Sequence, residues 1–176
     1  MSPGFGLSAI DQISFAVASV DEAVPRYSAM FGGPFAVVDV PDLQITHRGH
    51  PTSATLRLAL GRTGEIEVEL VEVVSGDWPT AEWMNLHGEG LHHLRYPVTD
   101  LEATRAEMES AGFTVVLAGG EAGISFAYLD CPLLNAMTVE LVQAGGGMEE
   151  AVPMSAGTVP RQKYPLMDDL IVPRRG

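Results

Sequence analysis

The sequence predicts an α+β fold made of two similar modules, each with one helix and four strands. Residues 68–71 (VELV) recur as residues 139–142, which lie 71 positions later. Residues 11–17 align with residues 92–98 at a separation of 81, and both segments lead into a helix start. A repeat of this kind indicates two copies of one supersecondary unit. Each copy has the order strand, helix, strand, strand, strand.

The first module starts with a strand at residues 11–17 and a helix that begins near Asp21. The helix is expected to end at Phe31, because the two following glycines suit a left-handed helix end. Apolar or alternating runs then predict three more strands, at residues 35–40, 54–60 and 66–74. An insertion at residues 42–53, which the second module lacks, is expected to form a long loop or lid.

The second module repeats this order after a linker with a short helix at residues 80–86. Thr99 or Asp100 can cap the next helix, which Gly112 ends. Three further strands are expected, at residues 114–118, 124–129 and 136–142. The predicted boundaries are a first module at 8–75, a linker at 76–89, a second module at 90–144 and a Gly/Pro-rich C-terminal arm at 145–176.

Composition excludes several classes of protein. The 176 residues are 46% hydrophobic and 19% charged, which is typical of a folded domain rather than a disordered chain. A net charge of −13 disfavours binding to nucleic acid. There is no apolar run of about 18 residues for a membrane span, and no secretory leader is visible, so we expect a cytoplasmic protein. The single cysteine, Cys131, allows no internal disulfide.

Four polar residues occupy matching positions of the repeat. Gln12 aligns with His93 and Glu69 aligns with Glu140, each inside an otherwise apolar strand. Duplicated modules usually pack about a pseudo-twofold axis, so these four side chains are expected to converge. Two buried carboxylates in one pocket need a compensating cation or proton. The quartet therefore predicts a site for one divalent metal ion, namely Zn, Mn, Co, Ni, Fe or Mg.

The neighbours of these residues are expected to lie elsewhere. Glu65 and Glu67 alternate with Glu69 along one strand, and we interpret both as solvent-facing. His92 and His93 are adjacent, so an ideal strand would point them to opposite faces and only one would join the site.

Residues 8–144 resemble the vicinal oxygen chelate superfamily, which includes glyoxalases, bleomycin resistance proteins and dioxygenases. The resemblance rests on residues 11–13 (DQI), 90–94 (GLHHL), 126–130 (FAYLD) and 139–143 (VELVQ), and is strongest to methylmalonyl-CoA epimerases and glyoxalase-like proteins. It implies a cup-shaped mixed sheet made of two βαβββ modules, with helices on its outer side. It also places the family's metal ligands on Gln12, Glu69, His93 and Glu140.

Two departures from the family pattern bear on the activity. Residues 53–60 hold no acid where epimerases of this type place a glutamate base. Ala16 and Glu89 stand where glyoxalase I has arginines that hold glutathione carboxylates. Arg57 and Arg95 are the alternative candidates for binding an anionic substrate group, and Tyr128 and Phe126 are candidates for lining the cup.

The resemblance implies a metal-dependent isomerase, epimerase or lyase acting on a carbonyl substrate, with acyl-CoA esters and lactoylglutathione-type adducts as examples. The metal would polarise the carbonyl and stabilise an enediolate. Glu140 is the first candidate for the base and Glu69 the second. Alternatives are a metal-free drug- or metabolite-binding protein and an extradiol dioxygenase. Relatives often form dimers, so a homodimer is expected.

Overall fold

The computed structural model describes residues 5–121, 123–131 and 137–144, so the predicted C-terminal arm lies outside the described residues. Eight strands form one closed, mixed sheet, and the α+β prediction is confirmed. The strands are β1 (Gln12–Ala16), β2 (Ala36–His47), β3 (His50–Thr63), β4 (Ile66–Gly76), β5 (Gly90–Pro97), β6 (Thr114–Glu121), β7 (Ile124–Cys131) and β8 (Met137–Ala144). The helices are α1 (Val20–Phe31), α2 (Pro79–His87) and α3 (Leu101–Ser110).

The order of the strands reflects the duplication. Around the barrel it is β1-β4-β3-β2-β6-β7-β8-β5, so each half contributes four neighbouring strands. β1 pairs in parallel with β4, and β5 pairs in parallel with β8. The halves meet at two antiparallel seams, β1–β5 and β2–β6. Ile13 and Leu94 are paired across the first seam, and they are equivalent residues of the repeat. The pseudo-twofold axis therefore passes between them.

The insertion at residues 42–53 is a β-hairpin, and the prediction of a loop or lid is wrong. Its two strands pair from Leu43 opposite Ala54 to His47 opposite His50. Arg48 and Gly49 form the connection with φ of 48° and 82°, as a tight two-residue hairpin turn requires. Ile45 pairs with Gly119 on β6. The extra residues therefore lengthen β2 until it reaches the second module and closes the barrel.

Helices α1 and α3 cover the outer face of the sheet, as predicted. Helix α1 buries Val20, Ala23 and Val24 in an apolar cluster with Val68 and Leu70. Helix α3 starts at its predicted cap, where the Asp100 Oδ1 atom accepts a hydrogen bond of 3.0 Å from the Ala103 amide. Its apolar side packs into a cluster with strands β7 and β8. None of the described helices is both long enough and apolar enough to cross a bilayer.

The barrel interior is mainly apolar away from the first seam. Trp78, which directly precedes α2, is 3% exposed and packs among residues of β2, β3, β4 and β7. Its ring centre lies 5.8 Å from that of Tyr128 and 6.3 Å from that of Phe126. The interior therefore has an aromatic wall beside the polar residues of the β1–β5 seam.

Candidate metal centre

Strands β1, β4, β5 and β8 place a set of polar side chains on the inner face of the barrel. Ser14 is paired with His93 across the seam and with Glu69 on β4. Arg95 is paired with Gln12 across the seam and with Glu140 on β8. Alternate residues of a strand share one face, so these pairs form a continuous layer. Its buried members are Gln12, Ser14, Glu67, Glu69, His93, Arg95, Thr138 and Glu140.

His93 lies between the two predicted carboxylates. Its Nε2 atom is 3.2 Å from Glu140 Oε2 and 3.7 Å from Glu69 Oε2. The imidazole is fully buried, and Nε2 has no hydrogen-bond partner. Ser14 Oγ donates a hydrogen bond of 2.7 Å to Glu69 Oε2. Two buried carboxylates beside one imidazole nitrogen require a proton or a cation between them.

Burial dominates the electrostatics around His93. It raises the pKa of Glu69; His93 and the Ser14 hydrogen bond oppose that rise, and Glu140 adds to it. Burial also raises the pKa of Tyr128 well above its usual value, with Glu140 and Glu69 adding to the rise. The Tyr128 ring centre is 4.7 Å from that of His93. The phenol therefore stays protonated beside the two carboxylates.

Gln12 offers its amide oxygen to the interior. Its Nε2 atom donates a hydrogen bond of 2.7 Å to Glu67 Oε1, whereas its own Oε1 atom is buried without a partner. A carboxylate only accepts hydrogen bonds, so the amide nitrogen must face Glu67. Arg95 Nη1, 3.4 Å from Glu67 Oε1, supplies the compensating charge. Glu67 thus fixes which amide atom Gln12 leaves free.

The prediction that Glu67 faces solvent is wrong, because the side chain is 1% exposed inside this layer. The charge of Arg95, which comes from the other module, makes that burial tolerable. Glu65, by contrast, is exposed as predicted.

His92 also lies on the interior side, which corrects the expectation that only one of the two histidines could. Ser14 pairs with His93 and Phe15 pairs with Leu91, so His92 is the extra residue of a β-bulge. A bulge breaks the alternation of side chains. His92 Nδ1 lies 2.9 Å from His93 Nδ1, and burial, followed by His93, lowers the pKa of His92 well below its usual value. If the hydrogen bond runs from His93 to His92, the lone pair of His93 is on Nε2.

The four residues named as substrate contacts occupy different places. Tyr128 and Phe126 lie in the interior, with ring centres 6.3 Å apart. Arg95 is 5% exposed and is held by Asp11 through bonds of 2.9 and 3.1 Å as well as by Glu67. Arg57 does not lie in the buried polar layer around His93. Its guanidinium lies 3.1 Å from Asp21 of α1 and 3.8 Å from Asp39, on the outer side of the sheet.

The donor types present suit a divalent ion, but Glu69, His93 and Glu140 do not bring all their ligand atoms within 4.8 Å of one another, so the side chains must close on the ion to bind it. Gln12 Oε1 and His93 Nε2 are both buried without a hydrogen-bond partner, and both belong to the predicted quartet. Glu69 and Glu140 add anionic oxygens beside His93 Nε2. One imidazole with oxygen donors suits Zn, Mn, Co, Ni, Fe or Mg. Sequence reasoning missed Ser14 and Glu67 in this layer. Each lies two residues along its strand from Gln12 or Glu69, and residues two apart on a strand share a face. That spacing could have identified them.

A closed sheet built from two βαβββ modules is the architecture of the glyoxalase-like class of folds. The profile of the Glyoxalase/Bleomycin resistance protein/Dioxygenase superfamily matches residues 11–128, well over half of the chain. The chain therefore belongs to this superfamily, also called the vicinal oxygen chelate superfamily, as the motifs predicted.

Solved structures of similar fold include proteins that share little sequence with this chain. A hypothetical protein from Bacillus halodurans aligns with a TM-score of 0.62 at 23% identity, over 81% of this chain and 98% of its own. Methylmalonyl-CoA epimerase from Mycobacterium tuberculosis aligns with a TM-score of 0.60 at 19% identity, over 82% and 93% of the two chains. Identities this low show the fold alone. No curated protein matches the chain.

Glu67→Gln is expected to weaken divalent metal binding about 10- to 100-fold, as loss of a residue that orients a ligand typically does. A glutamine at this position no longer forces the Gln12 amide into one orientation. Zn²⁺ titration against a chromogenic chelator measures the effect. Glu65→Gln, the same change at an exposed residue of the turn before β4, is the matched control and should bind like the parent. Equal affinities for the two variants would contradict the role of Glu67.

Proposed function

We propose that this protein is a divalent-metal-dependent isomerase or epimerase that moves a proton on the carbon next to a substrate carbonyl. The observation that carries the proposal is the pair of carboxylates flanking the unpaired Nε2 atom of His93. Gln12, Glu69, His93 and Glu140 would hold the ion. When bound, the ion supplies a Lewis acid that polarises the carbonyl oxygen.

The chain itself supplies the proton-transfer groups. Glu140 and Glu69 occupy equivalent positions of the two modules, so they approach the centre from opposite halves of the barrel. In the proposed reaction Glu140 removes the proton from one face of the substrate carbon, and Glu69, protonated after it has left the ion, returns a proton to the other face. Removal and return on opposite faces invert the stereocentre.

The surrounding residues offer apolar surface to the acyl part of a substrate. Trp78, Tyr128 and Phe126 lie in the apolar part of the interior, and the Tyr128 ring lies beside His93. One of the similar structures is a methylmalonyl-CoA epimerase in complex with methylmalonyl-CoA, at 20% identity and a TM-score of 0.57. A branched acyl-CoA is therefore the first substrate class to test.

Deuterium exchange tests the proposal. The metal-loaded protein is incubated in D₂O with methylmalonyl-CoA, and in parallel with the hemithioacetal of methylglyoxal and glutathione. Mass spectrometry follows label entering the carbon beside the carbonyl. We expect exchange with at least one substrate, loss of exchange on chelation and its return with a divalent ion. Exchange that persists after exhaustive chelation, or no exchange with any of the six metals, would contradict the proposal.

A second candidate function is metal-free binding of a drug or metabolite, and the aromatic wall of Trp78, Tyr128 and Phe126 favours it. Metal content separates the two functions. Purified protein with about one ion per chain at this centre supports the enzyme. Protein that takes up no ion there and binds aromatic compounds tightly supports the binding protein.

A further inference from the structure

A second group of potential metal ligands lies at the β2–β6 seam, away from the β1–β5 seam that holds His93. His47 ends β2, Asp77 follows β4, and Glu82 belongs to α2. Within the described ranges, this is the one trio of His, Cys, Asp or Glu residues whose ligand atoms all lie within 4.8 Å of one another. Three separate elements of the fold therefore meet in one group.

The geometry leaves one imidazole nitrogen available for a ligand. His47 Nδ1 lies 2.8 Å from Asp77 Oδ1, which favours the tautomer that carries its proton on Nδ1. The lone pair then resides on Nε2, which is buried, has no hydrogen-bond partner and lies 3.9 Å from Glu82 Oε1. The His47 side chain is 2% exposed, whereas those of Asp77 and Glu82 are 55% and 45% exposed. A buried, unpaired acceptor thus faces a carboxylate at the barrel surface.

We propose that His47 Nε2 and Glu82 Oε1 bind a divalent cation of the Zn, Co or Ni class, with Asp77 orienting the imidazole. Bonds of about 2.0–2.2 Å to nitrogen and oxygen allow one ion to reach both atoms across their separation. An imidazole ligand selects these metals over Ca²⁺ and Mg²⁺, which favour oxygen ligands. In metal sites, the histidine nitrogen that does not bind the metal commonly donates a hydrogen bond to a carboxylate. This site is independent of the proposed function.

Arg48 positions Glu82 by pairing with both of its carboxylate oxygens. Its Nη2 atom lies 2.6 Å from Glu82 Oε2, and its Nε atom donates a hydrogen bond of 3.4 Å to Oε1, the oxygen that lies 3.9 Å from His47 Nε2. The hydrogen bond with Glu82 raises the pKa of Arg48, and the charges of Asp130 and Asp77 act in the same direction. Arg48 offsets the charge of Glu82 only, so the negative charge of Asp77 remains in the group and favours a cation.

The proposed ion would tie the β2–β3 hairpin to the start of α2. Trp78 lies between Asp77 and the first residue of α2, and its ring is buried against Tyr128 and Phe126. An ion that links Asp77 and Glu82 to His47 of the hairpin would therefore also hold Trp78 in the barrel interior. We call this group of His47, Asp77 and Glu82 the hairpin clamp.

Zinc stoichiometry tests the hairpin clamp. The full chain is stripped with a chelator, dialysed against buffered Zn²⁺, and its zinc per chain is measured by mass spectrometry of the metal. His47→Asn keeps a donor for Asp77 and removes Nε2, and Glu82→Gln removes the anionic ligand. We expect each to lose one zinc per chain relative to the parent, or to bind it at least tenfold more weakly. Glu102→Gln, at an acid with a 70% exposed side chain, should bind like the parent.

Further variants separate the hairpin clamp from the centre at His93. His93→Asn should lose a different zinc and keep the clamp zinc. Unchanged stoichiometry and affinity in both His47→Asn and Glu82→Gln would overturn the clamp. Loss of zinc in those two variants with no change in His93→Asn would support the clamp and overturn the centre at His93. If His47→Asn does not fold, Glu82→Gln decides alone, because its side chain is half exposed at the surface.

Discussion

Glu140→Gln is expected to slow proton exchange at the substrate carbon about 10²- to 10⁴-fold, the usual contribution of a positioned base. The amide keeps the size of the side chain but cannot accept the proton. Glu140 Oε2 is 3.2 Å from His93 Nε2, so the change acts at the centre of the site. The rate of deuterium incorporation measures the loss, and circular dichroism checks the fold. Glu102→Gln is the matched surface control.

The two carboxylates should differ in the substrate epimer that each change affects. If Glu140 removes the proton from one epimer, Glu69 removes it from the other. Glu140→Gln should then slow deuterium exchange of one epimer more than that of the other. Glu69→Gln should have the opposite preference. Glutamine at position 69 can still accept the hydrogen bond from Ser14. Equal losses for both epimers in both variants would contradict a two-base arrangement.

Arg95→Met is expected to destabilise the fold by about 3–5 kcal/mol, as removal of one partner of a buried ion pair does. Arg95 is 5% exposed, and Glu67, at 1% exposure, would remain inside the barrel without a cation. Asp11 would lose both of its bonds to the guanidinium. Urea denaturation of the metal-free protein gives the change in the free energy of unfolding.

Arg26→Met is the control for Arg95→Met. Arg26 has a 56% exposed side chain and pairs with Glu89 at 2.9 Å on the surface. Exposed pairs contribute about 0–1 kcal/mol, so the control should lie within that range. A similar small loss for Arg95→Met would mean that Glu67 does not depend on the guanidinium for its burial.

The duplication could be predicted from the sequence because equivalent strands of the two modules keep the same order of inward- and outward-facing residues. The separation of 81 residues between the aligned first strands reappears as the pairing of Ile13 with Leu94 at the pseudo-twofold axis. The helix cap at Asp100 was predictable because capping depends on a few neighbouring residues. These features are local, or they repeat a local pattern.

Other features depend on partners far along the chain. Glu67 is buried because Arg95 comes to it from the other module, a pairing that the charges of one strand do not reveal. His92 faces the interior because the bulge opposite Ser14 and Phe15 breaks the alternation assumed for strands. The hairpin at residues 42–53 did carry a local signal. Leu43, Ile45 and His47 alternate on one side of β2 before the turn at Arg48 and Gly49.

A crystal structure of the zinc- or cobalt-loaded protein, with anomalous data at the metal edge, tests the central claim most directly. We predict an anomalous peak within about 2.0–2.2 Å of His93 Nε2 and of a carboxylate oxygen of Glu140 or Glu69. Gln12 Oε1 should face the same peak while its amide nitrogen stays on Glu67. A loaded crystal with no anomalous peak at His93, or with Gln12 turned away from it, would contradict the account.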